Sequence, residues 1–301
     1  MKILTILTTT YNRKKLLKSL YESLEKQICK NFKWAVVDDG STDGTYEYIK
    51  SLVSSASFDI LIYKKENGGK HSALNLGISK INTKYTMIVD SDDILGPNAV
   101  STIIEYDLKY GEKKDLGAFS FLRCYRNGEP IVNIEKNEFI DTYANYRVKH
   151  NHPGDMAEVF VTSVLKKYPF PVYKNEKFLS EDVVWIQMSG KYKYVFINKA
   201  IYVCEYLREG LTSKDKSMKF ASPLGSMQRG KMLMERQCGI KANIKGAIIY
   251  DCYKIVAKKL YSKNELRDKV LLDNGLAKIL CFFVTPISLI YYKKWGKQND
   301  D

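Results

Sequence analysis

The first hundred residues alternate between two patterns of hydrophobic positions. Short apolar runs that are rich in β-branched residues predict four strands, at residues 2–10, 32–40, 59–65 and 85–93. Apolar residues at intervals of three and four predict amphipathic helices between these strands, at residues 14–27, 45–55 and 72–80. This order predicts an α/β fold in which helices flank a doubly wound, mostly parallel central sheet.

The pattern is less regular after residue 116. It predicts short strands at 116–125 and 129–134, a helix around 157–167 and another helix that opens at Asp182. Beyond Thr212 the chain becomes basic and mostly helical. We therefore expect a first domain over residues 1–214 and a basic helical C-terminal region over residues 215–301.

Composition indicates a globular protein, because 45% of the 301 residues are hydrophobic and 27% are charged. The formal net charge is +14, and residues 216–301 alone hold 17 Lys and Arg against 7 Asp and Glu. Such a basic segment can face nucleic acid, anionic lipid or water. The six cysteines form no CxxC pair, and the N-terminus lacks the apolar core of a signal peptide, so we expect a cytoplasmic protein without structural zinc.

Carboxylates follow two of the predicted strands directly. Asp38 and Asp39 end the second strand, and Asp90, Asp92 and Asp93 end the fourth. Ligands of doubly wound sheets bind outside the carboxyl ends of the strands, so both clusters are expected at the binding edge. Neighbouring carboxylates repel one another and need protons or cations, and the spacing of Asp90 and Asp92 suits a divalent ion. The alternative is a solvated turn that caps a helix.

Five segments together resemble the family 2 glycosyltransferases, which have the GT-A fold and use nucleotide-sugar donors. They occur in order and at typical spacing within residues 1–212: TTTYNR (8–13), VVDDGSTDGT (36–45), NGGKHSALNLGI (67–78), VDSDD (89–93) and SEDVVW (180–185). The resemblance implies that the first domain binds the donor and is catalytic.

The resemblance also implies roles for individual residues. Asp39 matches the acid that accepts from the base N–H, and Asp38 supports it. Asp92 matches the direct metal ligand, and Asp90 lies near the ribose or the water shell of the ion. The positions implied for the donor nucleotide are Thr9, Thr10, Tyr11, Arg13, Asp38, Asp39, Gly68, Lys70, Asp90, Ser91 and Arg208.

The reaction implied by the resemblance is an inverting, metal-dependent sugar transfer with Mn²⁺ or Mg²⁺ as the cofactor. Asp182, with Glu181 as its neighbour, matches the general base that takes a proton from the acceptor hydroxyl. UDP is the expected nucleotide. An N-cap at the start of a helix is the alternative for Asp182, considered alone.

Two departures from the family pattern bear on the donor site. Thr9 stands where a proline usually precedes Thr-Tyr-Asn, and Leu74 replaces the usual arginine of the third motif. We expect Lys70 or His71 to supply the missing positive contact.

The C-terminal region contains an uncharged run over residues 279–292, bracketed by Lys278 and by Lys293 and Lys294. The run is short for a membrane span, and Pro286 interrupts it. Its basic and aromatic flanks suit an anionic membrane surface, so residues 276–295 are expected to attach the protein peripherally to the inner face of the plasma membrane. A helix buried in the protein core is the alternative.

Peripheral attachment would fit an acceptor that is a glycan or a lipid-linked oligosaccharide in bacterial surface polysaccharide synthesis, such as capsule synthesis. A sugar-phosphate nucleotidyltransferase would also use acidic strand ends, but residues 8–15 lack the usual glycine-rich phosphate loop. A nucleic-acid-binding protein would explain the basic tail but not the acids, so no nucleic-acid partner is expected. A dinucleotide oxidoreductase would need GxGxxG in the first turn, which is absent. The donor sugar, the linkage and the oligomeric state stay open.

Overall fold

The computed structural model describes residues 2–204, 215–266 and 269–297, and they form two compact units. The first unit contains the described residues within 1–142, 152–169 and 191–206. The second contains those within 143–151, 170–190 and 207–301. The expected domain boundary near residue 214 lies outside the described residues and stays a prediction.

The N-terminal half of the first unit has the predicted alternation of strands and helices. The parallel strands are β1 (Leu4–Thr10), β2 (Phe32–Asp38), β3 (Asp59–Lys64) and β4 (Tyr85–Ile88), in the spatial order β3-β2-β1-β4. The helices between them are α1 (Lys14–Glu25), α2 (Thr45–Leu52) and α3 (Lys70–Lys80). Because all four strands run the same way, their carboxyl ends share one edge.

The later strands extend this sheet and make it mixed. They are β5 (Ile94–Leu95), β6 (Leu116–Cys124), β7 (Glu138–Asp141), β8 (Met156–Val161) and β9 (Lys193–Val203). The sheet order is β3-β2-β1-β4-β8-β6-β9-β5, and β7 pairs with β9. Strand β8 is antiparallel to β4 and β6, whereas β6 and β9 are parallel. Two helices complete the unit, α4 (Ala99–Tyr110) and α5 (Thr162–Leu165).

Two local predictions are wrong. Residues 157–161, expected to be helical, belong to β8, and the helix that follows is only the short α5. Residues 129–134, expected to be a strand, form only an isolated bridge from Pro130 to Cys124 among the described residues. Strand β8 fills the space between β4 and β6, so pairing with residues distant in sequence overrides its local pattern.

Close packing holds α3 against the sheet. A Cβ at Gly77 would lie 2.4 Å from Cδ1 of Leu7 and 3.1 Å from Cγ2 of Val37, so only glycine allows this approach. Trp34 and Tyr85 are fully buried within the same core. Burial of a large apolar side chain contributes about 1.5–3 kcal/mol to the free energy of folding. This packing holds in place the strands at whose ends the acids lie.

The second unit is helical. Its α-helices are α6 (Asp182–Met188), α7 (Asp215–Ala221), α8 (Pro223–Leu233), α9 (Ile240–Leu260), α10 (Lys263–Leu266) and α11 (Gly275–Lys297). A π-helical turn spans Ala144–Lys149 and a 3₁₀ turn spans Arg236–Cys238. Helices α8 and α9 cross at Gly230 and Gly246, where a Cβ on Gly246 would lie 2.6 Å from the carbonyl oxygen of Gly230. The predicted helical character of the C-terminal region is therefore present in its described residues.

Candidate active site

The carboxyl edge of the parallel strands collects the predicted acids of the first unit. Thr10 and Asp38 are register partners at the ends of β1 and β2, and the backbone N–H of Asp39 donates to the carbonyl of Thr10 over 2.8 Å. Asp90 follows β4, which is the other neighbour of β1. The expectation that both acid clusters share one sheet edge therefore agrees with the strand order.

Two cationic side chains bind the acids of the turn after β4. Nη1 of Arg13 lies 2.5 Å from Oδ2 of Asp92, and Nζ of Lys70 lies 2.5 Å from Oδ1 of Asp90. Arg13 immediately precedes α1, and Lys70 is the first residue of α3. Both pairs are partly exposed, so the carboxylates lie where a ligand from solvent can reach them.

A third cation lies beneath the same turn. The guanidinium of Arg123, on β6, stacks over the ring of Tyr202 with its carbon 4.1 Å from the ring centroid. Its Nη1 lies 3.8 Å from Oδ2 of both Asp90 and Asp93. The hydroxyl of Tyr202 donates to Asp93 over 2.7 Å and accepts from the backbone N–H of Asp90 over 3.0 Å. Asp93 is therefore held in the protein, whereas Asp90 and Asp92 face the open edge.

These charges explain how three carboxylates coexist within four residues. Burial disfavours the charged form of Asp90, but the neighbouring Lys70 and Arg123 outweigh burial and lower the pKa of this carboxyl. Burial also disfavours the charged Arg123, while the adjacent Tyr202 and Asp90 raise the pKa of the guanidinium. Asp90 is therefore ionised at neutral pH.

Asp39 organises the glycine turn that precedes α3. Its carboxylate accepts from Nζ of Lys65 over 2.7 Å and from the backbone N–H groups of Gly68 over 3.1 Å and Gly69 over 2.8 Å. Gly40 has φ of +85°, and a Cβ there would lie 2.9 Å from the backbone nitrogen of Asn67. The carboxylate of Asp39 and the backbone N–H of Gly68 therefore already form a hydrogen bond with each other.

Asp38 retains an unused acceptor. Its Oδ1 accepts from the backbone N–H of Ser41 over 2.9 Å, but within the described part of the chain its buried Oδ2 has no hydrogen-bond partner, and neither has the buried Oγ1 of Thr10. An unsatisfied buried carboxylate oxygen is costly and is common at ligand sites. The adjacent Tyr11 is 48% exposed, so its ring is available to a ligand.

The two candidates for the missing positive contact differ in burial and charge. His71 is 2% exposed, its Nδ1 has no partner among the described residues, and burial lowers its pKa to about 4, so it is neutral at physiological pH. Nζ of Lys70 forms an ion pair with the carboxylate of Asp90. Of the two candidates, Lys70 is therefore the one with a positive charge at the acidic turn.

The predicted base lies in the second unit. Asp182 is the first residue of α6, and its carboxylate is bound on both oxygens by Arg229 of α8. Nε of Arg229 lies 3.1 Å from Oδ1 and 2.9 Å from Oδ2, and Nη2 lies 2.8 Å from Oδ2. Glu181 is the N-cap residue, and no side chain caps this helix. This two-oxygen contact fixes the orientation of the Asp182 carboxylate.

The remaining expected residues have mixed placements. Thr9 is partly buried on β1, Ser91 is buried in the turn after β4, and Arg208 lies outside the described residues. Sequence reasoning missed Lys65, Arg123, Tyr202 and Arg229. A charged residue near the end of the apolar run 116–124 was the available signal for Arg123, and a lysine directly after β3 was the signal for Lys65.

The open edge offers oxygen ligands rather than a complete metal cage. Among the described residues, no group of three or more His, Cys, Asp or Glu side chains is arranged to hold an ion. Asp90 and Asp92 alone would supply one or two carboxylates. That number fits Mg²⁺ or Mn²⁺, which take further ligands from water and substrate phosphates.

Sequence comparisons show which known proteins the chain resembles. The profile described as "Glycosyl transferase family 2" matches residues 5–153. "Glycosyltransferase GlyA" of Streptococcus pneumoniae serotype 4 is 33% identical over 231 residues, which are 70% of this chain and 31% of that protein. "Minor teichoic acid biosynthesis protein GgaA" of Bacillus subtilis is 25% identical over 209 residues, which are 63% of this chain and 46% of that protein. The chain thus spans less than half the length of these curated relatives.

A solved structure is similar over nearly the whole chain. The crystal structure of S. aureus TarS 1–349 in complex with UDP has a TM-score of 0.62 at 16% sequence identity. The match covers 99% of this chain and 88% of that one. At this identity the likeness concerns the fold, and it confirms the predicted α/β class with a helical C-terminal region.

Proposed function

The chain belongs to glycosyl transferase family 2, and we propose that it transfers a sugar from a nucleoside-diphosphate sugar to a hydroxyl of a glycan or lipid-linked acceptor. The observation that carries this proposal is the open acidic edge of the first unit. There Asp90 and Asp92 are partly exposed beside two cations, and Asp38 keeps a buried oxygen without a partner among the described residues. The two cations would bind the diphosphate of the donor, and the carboxylate oxygen would accept a hydrogen bond from its nucleobase.

Asp39 and Asp38 are proposed as the acceptors for the base N–H. Asp39 already accepts from Lys65 and from the backbone of the glycine turn, whereas the buried Oδ2 of Asp38 has no hydrogen-bond partner among the described residues. The ring of Tyr11 would stack on the base. UDP is the proposed nucleotide, in line with the UDP bound by TarS, which has a similar fold.

Asp92 and Asp90 would hold a divalent ion, Mn²⁺ or Mg²⁺, together with the donor diphosphate. When bound, the ion supplies Lewis-acid neutralisation of the charge on the departing diphosphate. Arg13 and Lys70, now paired with these carboxylates, are proposed to turn to the diphosphate oxygens. Arg123 stays beneath the turn, where its guanidinium is near the carboxylates of Asp90 and Asp93.

Asp182 is proposed as the general base. An acceptor hydroxyl must lose its proton as it attacks the anomeric carbon, and a carboxylate in reach accelerates that step on the order of 10²–10⁴-fold. Arg229 holds both carboxylate oxygens and so sets the direction from which a hydroxyl can approach. Direct attack opposite the leaving group would invert the anomeric configuration.

The proposed acceptor class is a bacterial surface polysaccharide or its lipid-linked precursor. The name of GgaA, a protein of minor teichoic acid biosynthesis, supports this class. The proposed donor site at the acidic edge is the same for any such acceptor. The proposal for the donor therefore does not depend on the acceptor class.

Release of free nucleoside diphosphate from a panel of nucleotide sugars and glycan acceptors tests the proposal. Asp182→Asn should keep donor binding and lose transfer on the order of 10²–10⁴-fold. The matched control is Asp273→Asn, which changes an exposed acid paired with Lys231 and should keep native transfer. Native transfer by Asp182→Asn would refute its role as the base, and absence of donor-dependent release from the native protein would refute the activity.

A further inference from the structure

Helix α11 exposes a continuous apolar surface. Large apolar side chains recur along it at intervals of three and four, which places them on one face. We call this surface the apolar ridge; it consists of Leu276, Ile279, Phe282, Phe283, Ile287 and Ile290. Phe282 is 76% exposed and Phe283 is 71% exposed. Exposed apolar residues gathered in this way mark a contact surface rather than ordinary surface scatter.

The opposite face of α11 packs within the second unit through buried apolar residues and through polar contacts. Oγ1 of Thr285 donates to Asp251 of α9 over 2.7 Å, and Sγ of Cys252 donates to the carbonyl of Ser288 over 3.1 Å. Ser288 is fully buried. By length and composition α11 could cross a membrane. Crossing would expose these polar groups to lipid, so a position along a surface costs less than a span.

Lysines lie at both ends of the apolar ridge. Lys278 is exposed near its start, and Lys293 and Lys294 are exposed just beyond its end. Nζ of Lys259 on α9 lies over the ring of Tyr292, 5.1 Å from its centroid, and adds charge at that end. A ridge with two basic ends complements an anionic surface. If two copies packed ridge to ridge, basic ends would meet in either orientation. Their like charges would repel, so a second copy fits this surface less well.

We propose that the apolar ridge of α11 inserts into the headgroup region of an anionic lipid bilayer, with its flanking lysines at the lipid phosphates. Apolar side chains gain by leaving water, and each nearby lysine adds electrostatic attraction that falls with salt. The protein thereby lies on the membrane and does not cross it. This attachment depends on α11 alone and stands whether or not the proposed sugar transfer is correct.

Co-sedimentation of the 301-residue chain with vesicles tests the attachment. The vesicles are phosphatidylcholine, with or without phosphatidylglycerol. The ridge variant carries Phe283→Glu with Ile290→Glu, and the matched control carries Ile28→Glu with Leu108→Glu, two residues 73% and 85% exposed in the first unit. Native protein and control should bind anionic vesicles, and the ridge variant should bind roughly tenfold to hundredfold more weakly.

Two further measurements complete the test. Thermal unfolding of all three proteins checks that the ridge variant is folded, and Lys293→Gln with Lys294→Gln should weaken binding to anionic vesicles while leaving binding to neutral vesicles unchanged. Native binding by a folded ridge variant would overturn the proposal. So would a native protein that ignores vesicles and sediments as a dimer that the ridge variant dissociates, because the occupant would then be a second copy.

Discussion

Nη1 of Arg13 lies 2.5 Å from Oδ2 of Asp92, and this contact joins the end of β1 to the acidic turn after β4. Both side chains are about one-fifth exposed, at 21% and 19%. The carboxylate that matches the metal ligand of the family therefore has a cation of the protein beside it. A divalent ion at Asp92 must share this carboxylate with Arg13 or displace it.

Arg13→Gln should strengthen binding of Mn²⁺ in the absence of donor. Removal of the competing charge should increase the affinity roughly twofold to fivefold, in keeping with a partly exposed ion pair of up to about 1 kcal/mol. The same variant should bind the donor diphosphate more weakly, because the glutamine carries no positive charge that attracts the phosphate oxygens. Electron paramagnetic resonance of free Mn²⁺ measures the first effect directly.

Lys18→Gln is the matched control for Arg13→Gln, because it removes one positive charge from an exposed pair with Glu22 on α1. It should leave the Mn²⁺ affinity unchanged. An equal affinity of native protein and Arg13→Gln would mean that Arg13 and the metal do not compete for Asp92.

Arg229→Lys should reduce the turnover number without changing the KM for the donor. A lysine keeps the charge but cannot hold both oxygens of Asp182, so the carboxylate loses its fixed direction. We expect kcat to fall about tenfold, as for one charge-assisted hydrogen bond of about 1.5 kcal/mol. Steady-state kinetics over a range of donor concentrations separate kcat from KM.

Arg236→Lys makes the same change at an exposed arginine near the end of α8 and should behave as the native protein. If Arg229→Lys lost thermal stability and kept native kcat, Arg229 would be a structural residue and not a positioning residue for Asp182.

Because His71 is buried, the folding stability should decrease as the pH is lowered. Burial lowers its pKa to about 4, below the 6.5 of an unfolded histidine, so the unfolded state binds the proton more tightly. Stability from this group is therefore complete above pH 6.5 and is lost as pH falls towards 4, by about 3 kcal/mol in all. Urea unfolding at both ends of this range measures the loss.

The comparison variant His71→Gln cannot take up this proton. It should lose less stability than the native protein between the two pH values, whatever its stability at neutral pH. An identical loss in both proteins would show that His71 does not titrate as a buried neutral group.

The parallel strands β1 to β4 and the edge at which their acids lie could be predicted from sequence, because each strand is a short apolar run that ends in polar residues. Strand β8 could not, since its hydrogen-bond partners on β4 and β6 lie far from it in sequence. Strand β9 was not predicted either, and it contributes Tyr202 to the site. Strand pairing of this kind is decided by tertiary contacts and not by local pattern.

The acids of the site were identifiable from sequence, but their partners were not. Lys65, Arg123 and Arg229 bind Asp39, Asp90 and Asp182 from positions 26 or more residues away. The different hydrogen bonds of Asp38 and Asp39 likewise could not be predicted, because they form only in the folded turns.

Calorimetric binding of UDP and GDP, with and without Mn²⁺, tests most directly whether the acidic edge holds a metal and a nucleoside diphosphate. The account predicts that one nucleotide binds at least about tenfold more tightly with Mn²⁺, as a shared metal requires. Asp92→Ala should abolish that difference, and Asp59→Ala, at an exposed acid paired with Lys33, should preserve it. Metal-independent binding of the nucleotides, or an undiminished metal effect in Asp92→Ala, would contradict the account.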